Sequence, residues 1–125
     1  MILDTNALSG FLARDMAVRA LVESAHVVAL PVIVLGEYYF GLTTSNQRAR
    51  LESDLAELLR DVQVLDISAI TAAHYAEIRV ELKARARPIP ENDLWIAALA
   101  RQHNLPILTR DRHFEAVPGI GRISW

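Results

Sequence analysis

The chain has 125 residues, of which 52% are hydrophobic and 22% are charged, so it can bury the core of one domain but has no room for a second. It contains no cysteine, which excludes disulfides, thiolate metal sites and cysteine nucleophiles. The formal net charge is −2, so charge alone would not hold a nucleic acid, although metal ions bound among acidic residues would supply positive charge.

Short apolar stretches alternate with helical patterns along the chain. Polar residues that cap helices precede several of them, as at Asp4-Thr5-Asn6, Asp15 and Ser68. Pro31 stands at the first turn of a helix, and Pro88-Ile89-Pro90 ends another. We predict five strands, over residues 1–3, 26–30, 62–67, 106–109 and, at an edge, 119–125. The predicted helices cover residues 7–13, from the Asp15 cap to about 24, 32–43, 47–60, from the Ser68 cap to about 87, and 94–103. Residues 110–115 are predicted to form a turn or helical cap.

This alternation predicts an α/β fold, with a mainly parallel central sheet flanked by helices, in one domain over residues 1–125. In such sheets, ligands gather at the carboxyl ends of the strands. Asp4 directly follows the first predicted strand, and Asp111 follows the strand over 106–109. The sequence therefore predicts that these two carboxylates lie at the same edge of the sheet.

Four acids are candidates for a functional site, and each has a plain structural alternative. Asp4 could cap a helix, Asp93 could be a first-turn carboxylate favoured by the helix dipole, and Asp111 could form an ordinary turn. Glu37 is harder to explain structurally, because its helix is otherwise apolar or aromatic and no Lys or Arg lies three or four residues away. As a set, carboxylates from different elements would suit Mg²⁺ or Mn²⁺, which prefer hard oxygen ligands.

Other site chemistries have weaker support in the sequence. The four histidines, His26, His74, His103 and His113, lack the spacing of a zinc site, and no glycine-rich phosphate loop is present. His113 lies near Asp111 and could contact a substrate, but its position also suits capping or packing. The basic residues Arg79, Lys83, Arg85 and Arg87 could lie beside a nucleic acid or simply form a solvated helix end.

Four blocks of the sequence together resemble the PIN-domain family, most closely its VapC-type toxins. They are Ile2-Leu3-Asp4-Thr5-Asn6, Val34-Leu35-Gly36-Glu37, residues 88–98, and Leu108-Thr109-Arg110-Asp111-Arg112-His113-Phe114 followed by Val117-Pro118-Gly119. The resemblance covers essentially the whole chain, with the blocks in the family's order. It implies a three-layer PIN-like fold and an endoribonuclease that needs Mg²⁺ or Mn²⁺ to hydrolyse RNA.

The resemblance also implies roles for individual residues. Asp4 and Asp93 match metal-binding positions, and Glu37 and Asp111 complete the acidic pocket, although many relatives carry Asn where this chain has Asp111. Thr5, Asn6 and Thr109 match positions that support the pocket by hydrogen bonding. Glu91 matches a position that can provide an outer ligand. For Glu91, a helix-start carboxylate is the alternative.

The family resemblance implies three partners: RNA as substrate, a second copy in a homodimer, and a cognate VapB-type antitoxin. The antitoxin's tail would block the active-site groove and its other end would bind DNA, so this chain would meet DNA only indirectly. The aromatic residues Tyr38, Tyr39 and Phe40 offer a plausible partner surface, or core packing. No secretory signal is visible, and the longest apolar stretch, 27–35, is shorter than the ~20 residues that span a bilayer. We therefore expect a soluble cytoplasmic protein without a membrane partner.

Two other functions stay open at this stage. A different Mg²⁺-dependent phosphoryl hydrolase of α/β type would also carry an Asp after its first strand. Such an enzyme normally has a second acid adjacent or two residues later, where this chain has Thr5 and Asn6. A non-catalytic PIN-like interaction module is the second alternative, and the presence of all four acids argues against it.

Overall fold

The computed structural model describes residues 1–125 and contains one five-stranded sheet. Its strands are β1 (Ile2–Leu3), β2 (Ala29–Pro31), β3 (Gln63–Leu65), β4 (Ile107–Leu108) and β5 (Arg122–Ile123). The helices are α1 (Thr5–Leu12), α2 (Met16–Ser24), α3 (Val32–Leu42), α4 (Arg48–Leu58), α5 (Ala69–Ala84) and α6 (Glu91–His103), with a 3-10 helix at Arg112–Ala116. No helix is both long enough and apolar enough to span a membrane.

The strand order is β3-β2-β1-β4-β5, and every neighbouring pair is parallel. All carboxyl ends therefore lie along one edge of the sheet. The chain builds outward from β1 through β2 to β3, then crosses back to place β4 on the other side of β1. The strand order thus reverses between β1 and β4, where ligands bind in open α/β sheets.

Two groups of helices cover the sheet. Helix α1 contacts α2, α3 and α4, whereas α5 packs mainly against α6. Because parallel crossovers are right-handed, the return from β3 to β4 places α5 and α6 on the face opposite α1 to α4. The prediction of a three-layer α/β fold with a parallel central sheet is confirmed.

The core lies on both sides of the two central strands. Ile2, Leu3, Ile107 and Leu108 are completely buried, so β1 and β4 are apolar because both of their faces are covered. Helix α6 is buried over residues 96–100, as its nearly continuous apolar sequence predicts. This burial fixes β1, β4 and α6 relative to one another, and three of the four candidate acids are attached to their ends.

Several predicted boundaries are wrong by a few residues. Helix α1 begins at Thr5 instead of 7, because the Asp4 side chain accepts a hydrogen bond from the Thr5 backbone N–H. Helix α5 ends at Ala84 instead of near 87, because Ala86 adopts a left-handed conformation with φ of 52°. The strand predicted over 26–30 lies at Ala29–Pro31, that over 62–67 at Gln63–Leu65, that over 119–125 at Arg122–Ile123, and the helix predicted from 94 starts at Glu91.

Candidate active site

Three of the four candidate acids occupy the ends of elements around the β1–β4 junction. Asp4 follows β1 and caps α1, Asp111 follows β4 and caps the 3-10 helix, and Asp93 lies in the first turn of α6. Glu37 lies in the middle of α3. The site therefore collects side chains from four separate parts of the chain.

Asp4 is held by hydrogen bonds to both carboxylate oxygens. Its Oδ1 accepts from the Thr5 backbone N–H at 2.8 Å. Its Oδ2 accepts from the Asn6 amide at 3.0 Å and from the Thr109 hydroxyl at 2.7 Å. Only 5% of Asp4 is exposed, so this carboxylate has a single, fixed orientation.

The fully buried Thr109 hydroxyl connects two of the acids. It donates to Asp4 and accepts from the Asp111 backbone N–H at 2.9 Å and from the Asn6 amide at 3.1 Å. Asn6 in turn accepts from the Arg110 backbone N–H at 3.0 Å. Thr109 and Asn6 thus connect the end of β1 to the loop after β4.

Asp93 and Asp111 meet at the side chain of His113. The His113 Nδ1 lies 3.0 Å from Asp93 Oδ2 and 3.0 Å from Asp111 Oδ1. Asp111 Oδ1 also accepts from the His113 backbone N–H at 2.8 Å. One potential ligand atom from each of these three residues lies within 4.8 Å of the other two.

Glu37 reaches the same region from α3. Its Oε2 accepts from the Thr5 hydroxyl at 3.2 Å, and its Oε1 accepts from the Asn92 amide at 3.3 Å. Thr5 and Asn92 are the chain neighbours of Asp4 and Asp93. These two contacts therefore hold Glu37 beside the other acids.

Burial and mutual repulsion disfavour the charged forms of the inner carboxylates. Burial is the main cause that raises the pKa of Asp4, and the charge of Asp111 adds to it, against the opposing hydrogen bonds from Thr109 and Thr5. Burial also raises the pKa of Asp93 to about 6, with further increases from Asp4 and Asp111 and an opposing effect from His113. Cations that enter the site would relieve this repulsion.

The donor set fits a divalent metal. No Lys or Arg forms an ion pair with Asp4, Glu37, Asp93 or Asp111. Buried or half-buried carboxylates without such partners are costly unless a metal is bound. Asp93 and Asp111 offer hard oxygen ligands of the type that Mg²⁺ and Mn²⁺ prefer.

Two side chains differ from the sequence predictions. Glu91 accepts a hydrogen bond from the Tyr75 hydroxyl and lies 3.7 Å from the Arg79 guanidinium. Its side chain therefore faces α5, which does not suit an outer metal ligand. The alternative interpretation, a carboxylate at a helix start, fits this position. His113 was not predicted as part of the acidic pocket. Its position two residues after a capping Asp was the available signal, because a tight turn brings such residues together.

Comparison with known proteins gives a consistent family likeness. The profile of the PIN domain matches residues 1–120 of this chain. Ribonuclease VapC5 of Mycobacterium tuberculosis is 33% identical to it over 100 residues, which cover 78% of this chain and 73% of that protein. The tRNA(fMet)-specific endonuclease VapC of Shigella flexneri is 33% identical over 94 residues, which cover 74% and 71% of the two chains.

A solved structure is similar over nearly the whole fold. In the crystal structure of VapBC2 from Rickettsia felis bound to a DNA fragment from their promoter, one chain superposes with a TM-score of 0.89 and is 26% identical. The superposition covers 99% of this chain and 97% of that one. The strand order and the packing of the helices therefore belong to a known fold.

Proposed function

Since the chain belongs to the PIN-domain family, we propose that it is an endoribonuclease that requires Mg²⁺ or Mn²⁺ and acts as the toxin of a VapBC-type toxin–antitoxin pair. Relatives that are 33% identical carry ribonuclease or endonuclease names. This supports RNA hydrolysis over the other phosphoryl-transfer reactions that an acidic α/β site performs.

The convergence of Asp93 and Asp111 at the β1–β4 junction carries this proposal. Their carboxylates lie within 4.8 Å of each other and of the His113 ring, while the charge of Asp4 is close enough to raise the pKa of Asp93. An arrangement of repelling acids without Lys or Arg partners weakens the folded protein unless it binds a cation. Metal binding is therefore the function that best explains why these residues are together.

Each acid has a distinct part in the proposed site. Asp93 and Asp111 would hold the metal directly, and Asp4, fixed by Thr5, Asn6 and Thr109, would supply a rigid third carboxylate. Glu37, held by Thr5 and Asn92, would hold a metal-bound water or a second ion. When bound, such an ion polarises a phosphoryl oxygen and lowers the pKa of a bound water.

The proposed partners follow from the relatives and from an exposed surface. The Rickettsia felis structure contains VapBC2 with DNA, which supports a cognate VapB-type antitoxin for this chain and contact with DNA only through it. On α3, Tyr38 is buried, but 48% of Tyr39 and 80% of Phe40 are exposed. We propose that these two aromatic residues lie in an interface with the antitoxin or with the second subunit of a homodimer. A proposed RNA substrate supports the expected cytoplasmic location.

RNA cleavage by the purified protein tests the proposal. The wild-type protein should cleave a mixture of tRNA, rRNA and mRNA in Mn²⁺ or Mg²⁺, and EDTA should stop the reaction. Asp4→Ala and Asp93→Ala should abolish cleavage. Asp66→Ala is the matched control, because Asp66 is exposed, directly follows the edge strand β3, which β2 separates from β1, and forms no ion pair.

The same assay separates the alternatives. Cleavage that continues in the Asp4→Ala, Asp93→Ala double variant would contradict the proposed site. A protein that binds its antitoxin and Mn²⁺ but leaves every RNA intact would be an interaction module. Hydrolysis of small phosphate esters without cleavage of RNA would indicate a different phosphoryl hydrolase.

A further inference from the structure

We propose that His113 is itself a metal ligand, so that the site is a mixed nitrogen–oxygen centre of Asp93, Asp111 and His113 that prefers Mn²⁺ over Mg²⁺. This inference rests on the proposed metal-dependent function and assigns to that site a donor that the four acids do not include. Its basis is the position and chemistry of a single imidazole nitrogen.

The distances at His113 suit adjacent ligands of one ion. In an octahedral site with bonds of about 2.1 Å, neighbouring donor atoms are about 3.0 Å apart and opposite ones about 4.2 Å apart. His113 Nδ1 lies 3.0 Å from Asp93 Oδ2 and 3.0 Å from Asp111 Oδ1, and all three donor groups lie within 4.8 Å. The separations of His113 Nδ1 from the two carboxylate oxygens therefore match those of neighbouring octahedral ligands.

The local backbone holds His113 in this position. Asp111 caps the 3-10 helix by accepting from the His113 backbone N–H at 2.8 Å, and the Asp111 backbone N–H donates to the buried Thr109 hydroxyl at 2.9 Å. Phe114, the next residue, is completely buried. The His113 side chain is 51% exposed. The backbone therefore fixes the position of the imidazole, while its ring remains accessible to ions from solvent.

The neighbouring basic side chains do not compete for this position. Arg110 extends to Asp15, at 3.5 Å, and stacks over Trp125, whereas Arg112 pairs with Glu115 at 3.2 Å. Neither of them forms an ion pair with Asp93 or Asp111. Of the three residues 110, 112 and 113, only His113 turns toward the acids, and it is the only one that can coordinate a metal.

The nitrogen donor has a consequence for metal choice. Both ions bind carboxylate oxygens, but Mn²⁺ is a transition metal and accepts an imidazole nitrogen more readily than Mg²⁺, which keeps oxygen and water ligands. A site with oxygen ligands only would discriminate weakly between Mn²⁺ and Mg²⁺. With His113 as a ligand, Mn²⁺ should bind more tightly, and most of this preference should disappear when the imidazole is removed.

Pulsed EPR of Mn²⁺ added to the purified full-length protein tests the ligand directly. The wild-type spectrum should show coupling of the electron spin to a ligand nitrogen, and labelling histidine alone with ¹⁵N should change that coupling. The signal should be absent in His113→Gln and unchanged in His103→Gln, the matched control, because His103 is exposed at the end of α6. Circular dichroism should confirm that both variants are folded.

Calorimetric titration with Mn²⁺ and Mg²⁺ alone supplies the second readout. His113→Gln should weaken Mn²⁺ binding at least about tenfold and change Mg²⁺ binding by less than about threefold. Absence of nitrogen coupling in wild-type protein with bound Mn²⁺, or an equal loss for both metals, would overturn the assignment while leaving the nuclease proposal intact. Absence of any Mn²⁺ binding would overturn both.

Discussion

Replacing Asp93 by Asn should stabilise the metal-free protein and destabilise the metal-bound one relative to wild type. Burial, aided by the charges of Asp4 and Asp111, raises the pKa of Asp93 to about 6 from 3.8. The folded state therefore holds this proton more tightly than the unfolded state does. The resulting stabilisation is complete below pH 3.8 and is lost as the pH rises through about 6.

The size of the effect follows from that shift. A rise of about two units corresponds to about 3 kcal/mol, and solvent at the open side of the site reduces this to about 1–2 kcal/mol. Asn carries no charge and can still hydrogen-bond to His113. At pH 7 in EDTA, Asp93→Asn should therefore raise the free energy of unfolding by about 1–2 kcal/mol, and at pH 4 the difference should be small.

Bound metal should make the wild-type protein more stable than Asp93→Asn, which reverses their order in EDTA. An ion at 100 times its dissociation constant adds about 2.7 kcal/mol to the stability of the protein that binds it, and Asp93→Asn should gain little. Urea unfolding followed by circular dichroism at fixed protein concentration, at pH 4 and 7, in EDTA and in Mn²⁺, measures all of these values. Asp66→Asn is the control. If Asp93→Asn were less stable than wild type in EDTA by the same amount at both pH values, Asp93 would be a structural hydrogen-bond partner and the reasoning would be refuted.

Four further substitutions test separate parts of the structure. Thr109→Val removes the hydroxyl that contacts three polar groups and should lower the free energy of unfolding by about 2 kcal/mol in urea titrations. Thr109→Ser retains the hydroxyl and should keep most of the wild-type stability. Glu37→Gln should weaken Mn²⁺ binding in calorimetry; an unchanged affinity would make Glu37 structural. Arg101→Ala removes hydrogen bonds to both Glu81 oxygens and to the Pro118 carbonyl and should lower the free energy of unfolding by about 1–2 kcal/mol. Arg48→Ala, at an exposed ion pair, should lower it by less than about 0.5 kcal/mol. Equal losses for the two variants would contradict the role of Arg101. Ala86→Gly relieves a left-handed φ of 52° and should add about 0.5 kcal/mol in thermal unfolding; a loss of stability would show that Ala86 is unstrained.

Much of the fold could be predicted from local sequence signals. The apolar residues 1–3 followed by the capping Asp4 mark both the end of β1 and the start of a helix. The nearly continuous apolar pattern of α6 indicates its central position. Element boundaries were harder to predict, because Asp4, Thr5 and Asn6 are all residues that commonly cap helices. Only the hydrogen bonds in the structure identify Asp4 as the N-cap.

The site was harder to predict than the fold, because its contacts join residues that are distant in the chain. The prediction that Asp4 and Asp111 share an edge followed from the parallel sheet, and the buried Thr109 connects them. The contact between His113 and Asp93 depends on how the 3-10 helix packs against α6. Similarly, Glu91 lies at a helix start whether it faces the site or α5, and only its Tyr75 partner shows which.

Analysis of the RNA ends produced by the purified protein tests the central claim most directly. Hydrolysis by a metal-activated water should give products without a 2′,3′-cyclic phosphate, only when Mn²⁺ or Mg²⁺ is present, and only with wild type and Asp66→Ala. Asp4→Ala should give no products. Cyclic-phosphate ends, or equal cleavage in EDTA or by Asp4→Ala, would contradict a metal-dependent ribonuclease built on these carboxylates.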